Sequence, residues 1–189
     1  GWVSIQHITA PPITPPPLPV ATSLTNAQQE VVAAVQPAII TPHHETFLLD
    51  GVTGSGKTEV YFALIRHAIA QGKQTLVLIP EIALTTQLGQ RFTSQFPGRV
   101  AIIHGQLTPK QRIERCHSQH ADIIIGPRSA LFTPVSALGL IIVDEEQRFG
   151  VEHKEKLKKL RASVDVLSMS ATPIPRTLEH SLKLFLGFL

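Results

Sequence analysis

Residues 47–61 read FLLDGVTGSGKTEVY. An apolar run breaks into a glycine-rich stretch ending in Lys57-Thr58, and a helical pattern resumes behind it. Gly51 to Thr58 is G-V-T-G-S-G-K-T, the G-x-x-x-x-G-K-[ST] spacing, in the strand–loop–helix setting that a phosphate cradle requires. Each part has its own reason. Glycines let the backbone curl so that successive N–H groups converge on phosphate oxygens. The following helix adds the positive end of its dipole. Lys57 is placed to bridge β- and γ-phosphates, and the Thr58 hydroxyl to ligate Mg²⁺. Gly51, Thr53, Gly54, Ser55, Gly56, Lys57 and Thr58 are therefore the expected nucleotide-contacting set.

Working outward, short apolar runs alternate with helical stretches. The runs are TFLLD (46–50), QTLVLIP (74–80), RVAIIH (99–104), ADIIIG (121–126), GLIIVDE (139–145) and VDVLSMS (164–170). Helical patterns lie around 57–70, 83–96, 108–119 and 151–161, and TNAQQEVVAAVQPAI adds one further upstream, with Thr25 or Asn26 as its N-cap. Continuous rather than alternating apolar strands mean burial on both faces, the mark of a parallel sheet covered by helices. The expectation is an α/β fold, three layers deep, with a mainly parallel sheet. In such sheets ligands bind at the carboxyl ends of the strands. LIIVDEEQ (140–147) delivers Asp144 and Glu145 to such an end, where one acid can hold Mg²⁺ and the second orient an attacking water. Lys57, Asp144 and Glu145 are thus the candidate catalytic residues, and Thr58 and Asp144 the candidate Mg²⁺ ligands.

Composition excludes little. Hydrophobic residues at 43% and charged residues at 16% are those of a packed domain rather than a disordered chain. No apolar run reaches the length of a membrane span, so no membrane partner is expected. The single Cys116 excludes an internal disulfide and, with no secretion leader in view, points to a cytoplasmic setting. A formal charge of +3 permits a polyanionic partner. PPITPPPLP (11–19) favours extended geometry, so residues 1–23 read as the end of an upstream region plus a Pro-rich linker. Gly1 in place of Met suggests a fragment or processed chain.

LLDGVTGSGKTEVYFALI (48–65), GKQTLVLIPEIALTTQLGQRF (72–92) and ADIIIGPRSALFTPVSALGLIIVDEE (121–146) resemble the first motor domain of PriA-type primosomal helicases, superfamily 2 enzymes of replication restart. That similarity runs from about Leu24 to Glu146; DEEQRFGVEHKEKLKKLRASVDVLSMSATPIPRTL (144–178) is closer to the transcription-repair coupling factor Mfd and, more distantly, to RecG. The two patterns meet within the shared IIVDEE, so the chain reads as composite. The resemblance implies a RecA-like P-loop NTPase domain over 24–182 and a 3′–5′ DNA helicase or translocase using ATP and Mg²⁺. It also implies a second RecA-like domain, beyond this chain, that completes the motor. By motif, Gln28 is similar to the glutamine that reads the adenine edge, and Gly54, Lys57, Thr58, Asp144 and Glu145 to the Walker residues. Ser170 and Thr172 of SATPIP match the segment coupling nucleotide state to DNA grip. PEIALTTQ (80–87) and GPRSALF (126–132) resemble segments touching the DNA backbone, through Thr85, Arg128 and Ser129; Pro127 stands where the family pattern has Thr. These residue types meet phosphates, which position a strand without reading its sequence. Single-stranded or forked DNA and replication-restart or repair proteins are the implied partners, in a bacterial-type, nucleoid-associated location.

Other features read plainly. EHKEKLKKLR (152–161) is a solvated helix face with Glu152–Lys156 and Glu155–Lys159 spacings. CHSQH (116–120) offers Cys116, His117 and His120, short of the four ligands of a structural zinc, so no zinc is expected. The apolar tail 183–189 either docks on the sheet or stands exposed. Against the motor reading stands a catalytically silent module that binds nucleotide or DNA. A nucleotide kinase is disfavoured by DEEQ together with SATP.

Overall fold

The computed structural model describes residues 15–40, 45–50, 54–80, 87–118, 121–144, 151–160, 164–170 and 184–187. Five helices, α1 (Asn26–Ile40), α2 (Lys57–Ala70), α3 (Gln87–Gln95), α4 (Pro109–Ser118) and α5 (Val151–Leu160), are interleaved with strands among these residues. The strands are β1 (Thr46–Asp50), β2 (Gln74–Leu78), β3 (Val100–Ile102), β4 (Ile123–Gly126), β5 (Leu138–Asp144), β6 (Asp165–Ser170) and β7 (Leu184–Gly187), with a 3-10 turn at Arg128–Phe132. They form one seven-stranded sheet in the order β3-β4-β2-β5-β6-β1-β7. Every pairing is parallel.

The apolar runs explain the layering. Phe47, Leu49, Val77, Ile125, Ile142 and Leu167 point to one face, where Val31, Val35, Leu64 and Phe92 of α1, α2 and α3 cover them. Their strand neighbours Leu76, Leu78, Ile124, Ile141, Val143 and Val166 point to the other, under Cys116, Leu131 and Leu157. Alternation therefore distributes residues between two buried faces, which is why the strands are apolar throughout. Each fully buried aliphatic side chain contributes about 1.5–3 kcal/mol.

Local chemistry sets the helix ends. The Thr25 hydroxyl accepts from Gln28 N at 3.4 Å while Thr25 N donates to Gln28 Oε1 at 2.9 Å, so Thr25 rather than Asn26 caps α1 through a reciprocal box. At the end of α2, Lys73 N reaches Ala68 O at 2.9 Å and Gly72 N reaches Ile69 O at 2.9 Å. Gly72 adopts φ 66, the left-handed residue this stop requires. The described part of the Pro-rich segment is docked: Leu18 and Leu24 pack on the core, and Arg66 Nη1 donates to Pro19 O at 2.9 Å. The apolar tail takes the docked alternative. Leu184–Gly187 pairs along β1 as the edge strand. β3 is shorter than its apolar run: the ladder with β4 registers Val100–Ile102, and Arg99 O and Ile103 N close its two ends on Ile123 and Ile125.

Gly126, the last residue of β4, has no room for a side chain. A Cβ there would lie 2.7 Å from Ala130 Cβ and 3.0 Å from Ile103 O. Gly126→Ala is expected to destabilise the domain by about 1–3 kcal/mol through overpacking. Thermal melting checks this: a drop of several degrees is expected, and a melting temperature equal to that of the parent chain would contradict the packing described.

Candidate nucleotide-binding site

Parallel pairing puts every strand's carboxyl end on one edge of the sheet. There β1, β6 and β5 finish level, with Asp50 opposite Ser170 and Met169 opposite Asp144. Neighbouring strands lie about 4.8 Å apart, so the ends of β1 and β5 are separated by only about 10 Å. The end of β1 and the acid ending β5 are thus near neighbours on that edge.

Beyond β1 the chain turns into α2. Gly54 and Gly56 have φ 86 and 85, values that let a backbone curl at no steric cost only when the residue is glycine. Gly56 serves as the N-cap of α2, so Lys57 and Thr58 open the first turn of a 14-residue helix. Ser55 Oγ is buried and makes no hydrogen bond among the described residues. An orphaned hydroxyl beside a helix N-terminus and two left-handed glycines fits a phosphate group in this cradle. Gln28 closes the loop from the side. It is buried, and its Nε2 lies 3.4 Å from both Ser55 O and Gly56 O, while its Oε1 is held by the cap of α1.

Tyr61, a residue the sequence did not mark, neighbours Thr58 on α2 and feels the charge of Asp144. The buried Tyr61 hydroxyl hydrogen-bonds the Thr58 side chain; burial, then the nearby Asp144 carboxylate, pushes its pKa upward, so it remains a phenol. The i, i+3 spacing of Thr58 and Tyr61 on a helix was the available signal. Glu59, an acid in the same first turn, forms an ion pair with Arg91 of α3. That pairing offsets a charge that would otherwise repel phosphate.

The structure thus brings Gln28, Gly54, Ser55, Gly56, Lys57, Thr58 and Asp144 to one edge. Gly51, Thr53, Thr85, Glu145 and Thr172 lie outside the described residues, as does the side chain of Ser170. Arg128 and Ser129 sit on the turn after β4, two strands from β5, with Arg128 exposed and Ser129 half-buried. Ser129 O accepts from Arg112 Nη1 at 2.8 Å, a contact across 17 residues without a local signal. Among the described residues no three His, Cys, Asp or Glu side chains are grouped to hold a metal; His120 and the side chain of His117 lie outside them. No helix among the described residues is long and apolar enough to cross a membrane.

Comparison with known proteins agrees with this geometry. The chain is 38% identical over 142 residues to the replication restart protein PriA of Bacillus subtilis, covering 74% of this chain and 17% of that protein. It is 46% identical over 140 residues to the transcription-repair-coupling factor of Mycobacterium bovis, covering 70% of this chain and 11% of that one. The chain therefore spans under a fifth of the length of these relatives. Among solved structures, the Pyrococcus furiosus Hef helicase domain superposes with a TM-score of 0.65 at 17% identity, over 85% of this chain and 37% of that one, a likeness of fold. The fold is RecA-like, as the resemblance implied. The DEAD/DEAH box helicase family matches residues 25–181, and the chain belongs to that family.

Proposed function

We propose that this chain is the ATP-binding half of a 3′–5′ DNA helicase or translocase motor of replication restart or repair. The observation supporting the proposal is the level edge at β1, β6 and β5: Asp144 ends β5 there, and Lys57 and Thr58 open the helix that follows β1. The relatives' names, replication restart protein and transcription-repair-coupling factor, supply the setting.

Each residue has a part. The backbone from Gly54 to Lys57 cradles phosphate oxygens, and Lys57 sets a positive charge against them. The Thr58 hydroxyl and Asp144 carboxylate would hold Mg²⁺, which would supply positive charge against the phosphates. Tyr61, kept neutral, orients Thr58 without adding negative charge to the site. Glu145 orients the attacking water, and Gln28 contacts the adenine edge; Ser170 and Thr172 couple nucleotide state to DNA. Thr85, Arg128 and Ser129 meet the DNA backbone of single-stranded or forked DNA. Hydrolysis and unwinding require a second RecA-like domain supplying arginine fingers, which are worth about 10³–10⁵ in kcat.

The chain is expected to bind a fluorescent Mg-ATP analogue, and Lys57→Ala to weaken that binding by about tenfold or more, the worth of a charge-assisted contact. Any phosphate release stimulated by single-stranded DNA should vanish in the same variant. Unaltered binding would remove Lys57 from the site.

Gly56→Ala carries two separable costs. The left-handed backbone costs a non-glycine residue about 1–2 kcal/mol. The new Cβ would also lie 2.3 Å from Gln28 Nε2. Measured against Gln28→Ala alone, which itself loses the α1 cap and the loop contacts, Gly56→Ala should show only the conformational share. Melting curves of the single and double variants check this; a Gly56→Ala chain as stable as the parent contradicts the turn.

A further inference from the structure

The helix α4 begins with a second reciprocal cap. Thr108 N donates to Gln111 Oε1 at 2.9 Å, and Gln111 N donates to Thr108 Oγ1 at 3.3 Å. This box fixes the first turn, and the next residue, Arg112, folds back from it. Its Nε donates to Leu107 O at 3.2 Å, Nη1 to Ser129 O at 2.8 Å, and Nη2 lies 3.5 Å from Ser129 Oγ. One planar fork therefore ties the loop after β3 to the turn after β4. Arg115, one turn on, donates to Ile102 O at 2.9 Å and anchors the same helix to the end of β3.

The turn it reaches is buried on its inner side and exposed at Arg128. Ala130 and Leu131 are buried, and Ala130 N donates to Pro127 O at 2.7 Å. Arg128 is exposed. When Arg112 donates to a lone pair of the Ser129 hydroxyl, that hydroxyl's own proton is directed elsewhere and polarised by the guanidinium charge. The Ser129 hydroxyl thereby keeps its own proton for an acceptor, and phosphodiester oxygens are acceptors of that kind.

We propose that Arg112 is a positioning residue for DNA-backbone binding. It holds the Arg128–Phe132 turn in register and presents Ser129 as a donor, without itself touching the strand. The inference rests on reading this turn as a backbone contact, and adds to it the side chain that makes the contact effective. A lysine could keep the charge but not the bidentate reach.

The test uses the 189-residue chain and a fluorescent oligo-dT, titrated between 50 and 200 mM salt (about the range where counterion release is well resolved), with Mg-ATP analogue binding and thermal melting in parallel. Arg112→Lys is expected to raise the oligonucleotide Kd about fivefold or more, with nucleotide affinity unchanged and the salt slope retained. Arg112→Gln should lose affinity similarly and change the slope by much less than the roughly one unit expected for Arg128→Ala. Combining Arg112→Lys with Ser129→Ala should weaken binding no further than the more damaging single change, since the two act through one contact. A parent-like Kd in Arg112→Lys, or multiplicative losses in the double variant, overturns the proposal. So does a slope reduction in Arg112→Gln equal to that of Arg128→Ala, because Arg112 would then be a phosphate contact itself. If Arg128→Ala and Ser129→Ala leave both Kd and slope unchanged while nucleotide binding persists, the reading of the turn fails, and the role of Arg112 fails with it. A fall in melting temperature with unchanged DNA affinity assigns Arg112 to stability alone.

Discussion

The turn from β1 into α2 tolerates no side chain at residue 56. Its backbone is left-handed at φ 85, and a Cβ would collide with Gln28 Nε2 at 2.3 Å. Two constraints thus converge on one glycine: the curl that aims backbone N–H groups inward, and the close approach of α1. The same glutamine caps α1 through Thr25, so the start of one helix and the loop before the next are held by a single buried amide. Upstream of Thr25, Leu18 and Leu24 pack on the core and Pro19 O is held by Arg66 of α2.

Strand order then divides the working edge. β1 and β5, which bear the nucleotide candidates, flank β6, while β2 and β4, which precede the proposed DNA contacts, lie on the far side of β5. β2 is the shared wall, with Leu78 opposite Gly126 on one side and Val143 on the other. The Asp144 end of β5 is therefore separated from the turn after β4 by the single intervening strand β2. Pairs this close, packed at crystal-like density, transmit displacement poorly as deformation and better as a switch between discrete arrangements.

Much of this was legible in the sequence because it is written in short-range patterns. Continuous apolar runs named six strands, and the glycine spacing named the cradle; helix α2 spans the residues its periodicity indicated. β7 was not legible as a strand. An apolar tail can satisfy burial by docking or by association, and only pairing with β1 decides. Tyr61 was hidden for another reason: an apolar-faced helix carries aromatics for packing as often as for chemistry, and its phenol matters through its bond to Thr58 and the charge of Asp144, which comes from a distant strand. Arg112 and Gln28 act through contacts spanning 17 and 28 residues, which no local periodicity encodes. Choosing Thr25 over Asn26 as the cap likewise needed the Gln28 side chain, not the propensity of either residue.

The most direct test of the nucleotide site is hydrogen exchange of the intact chain with and without Mg-ATP. The account predicts slowed exchange confined to the amides of residues 54–59 and to the capped start of α1 at 25–28, where phosphate acceptors and the Gln28 clamp meet. Slowed exchange centred elsewhere on the sheet edge, or none at 54–59 under saturating Mg-ATP, would contradict it.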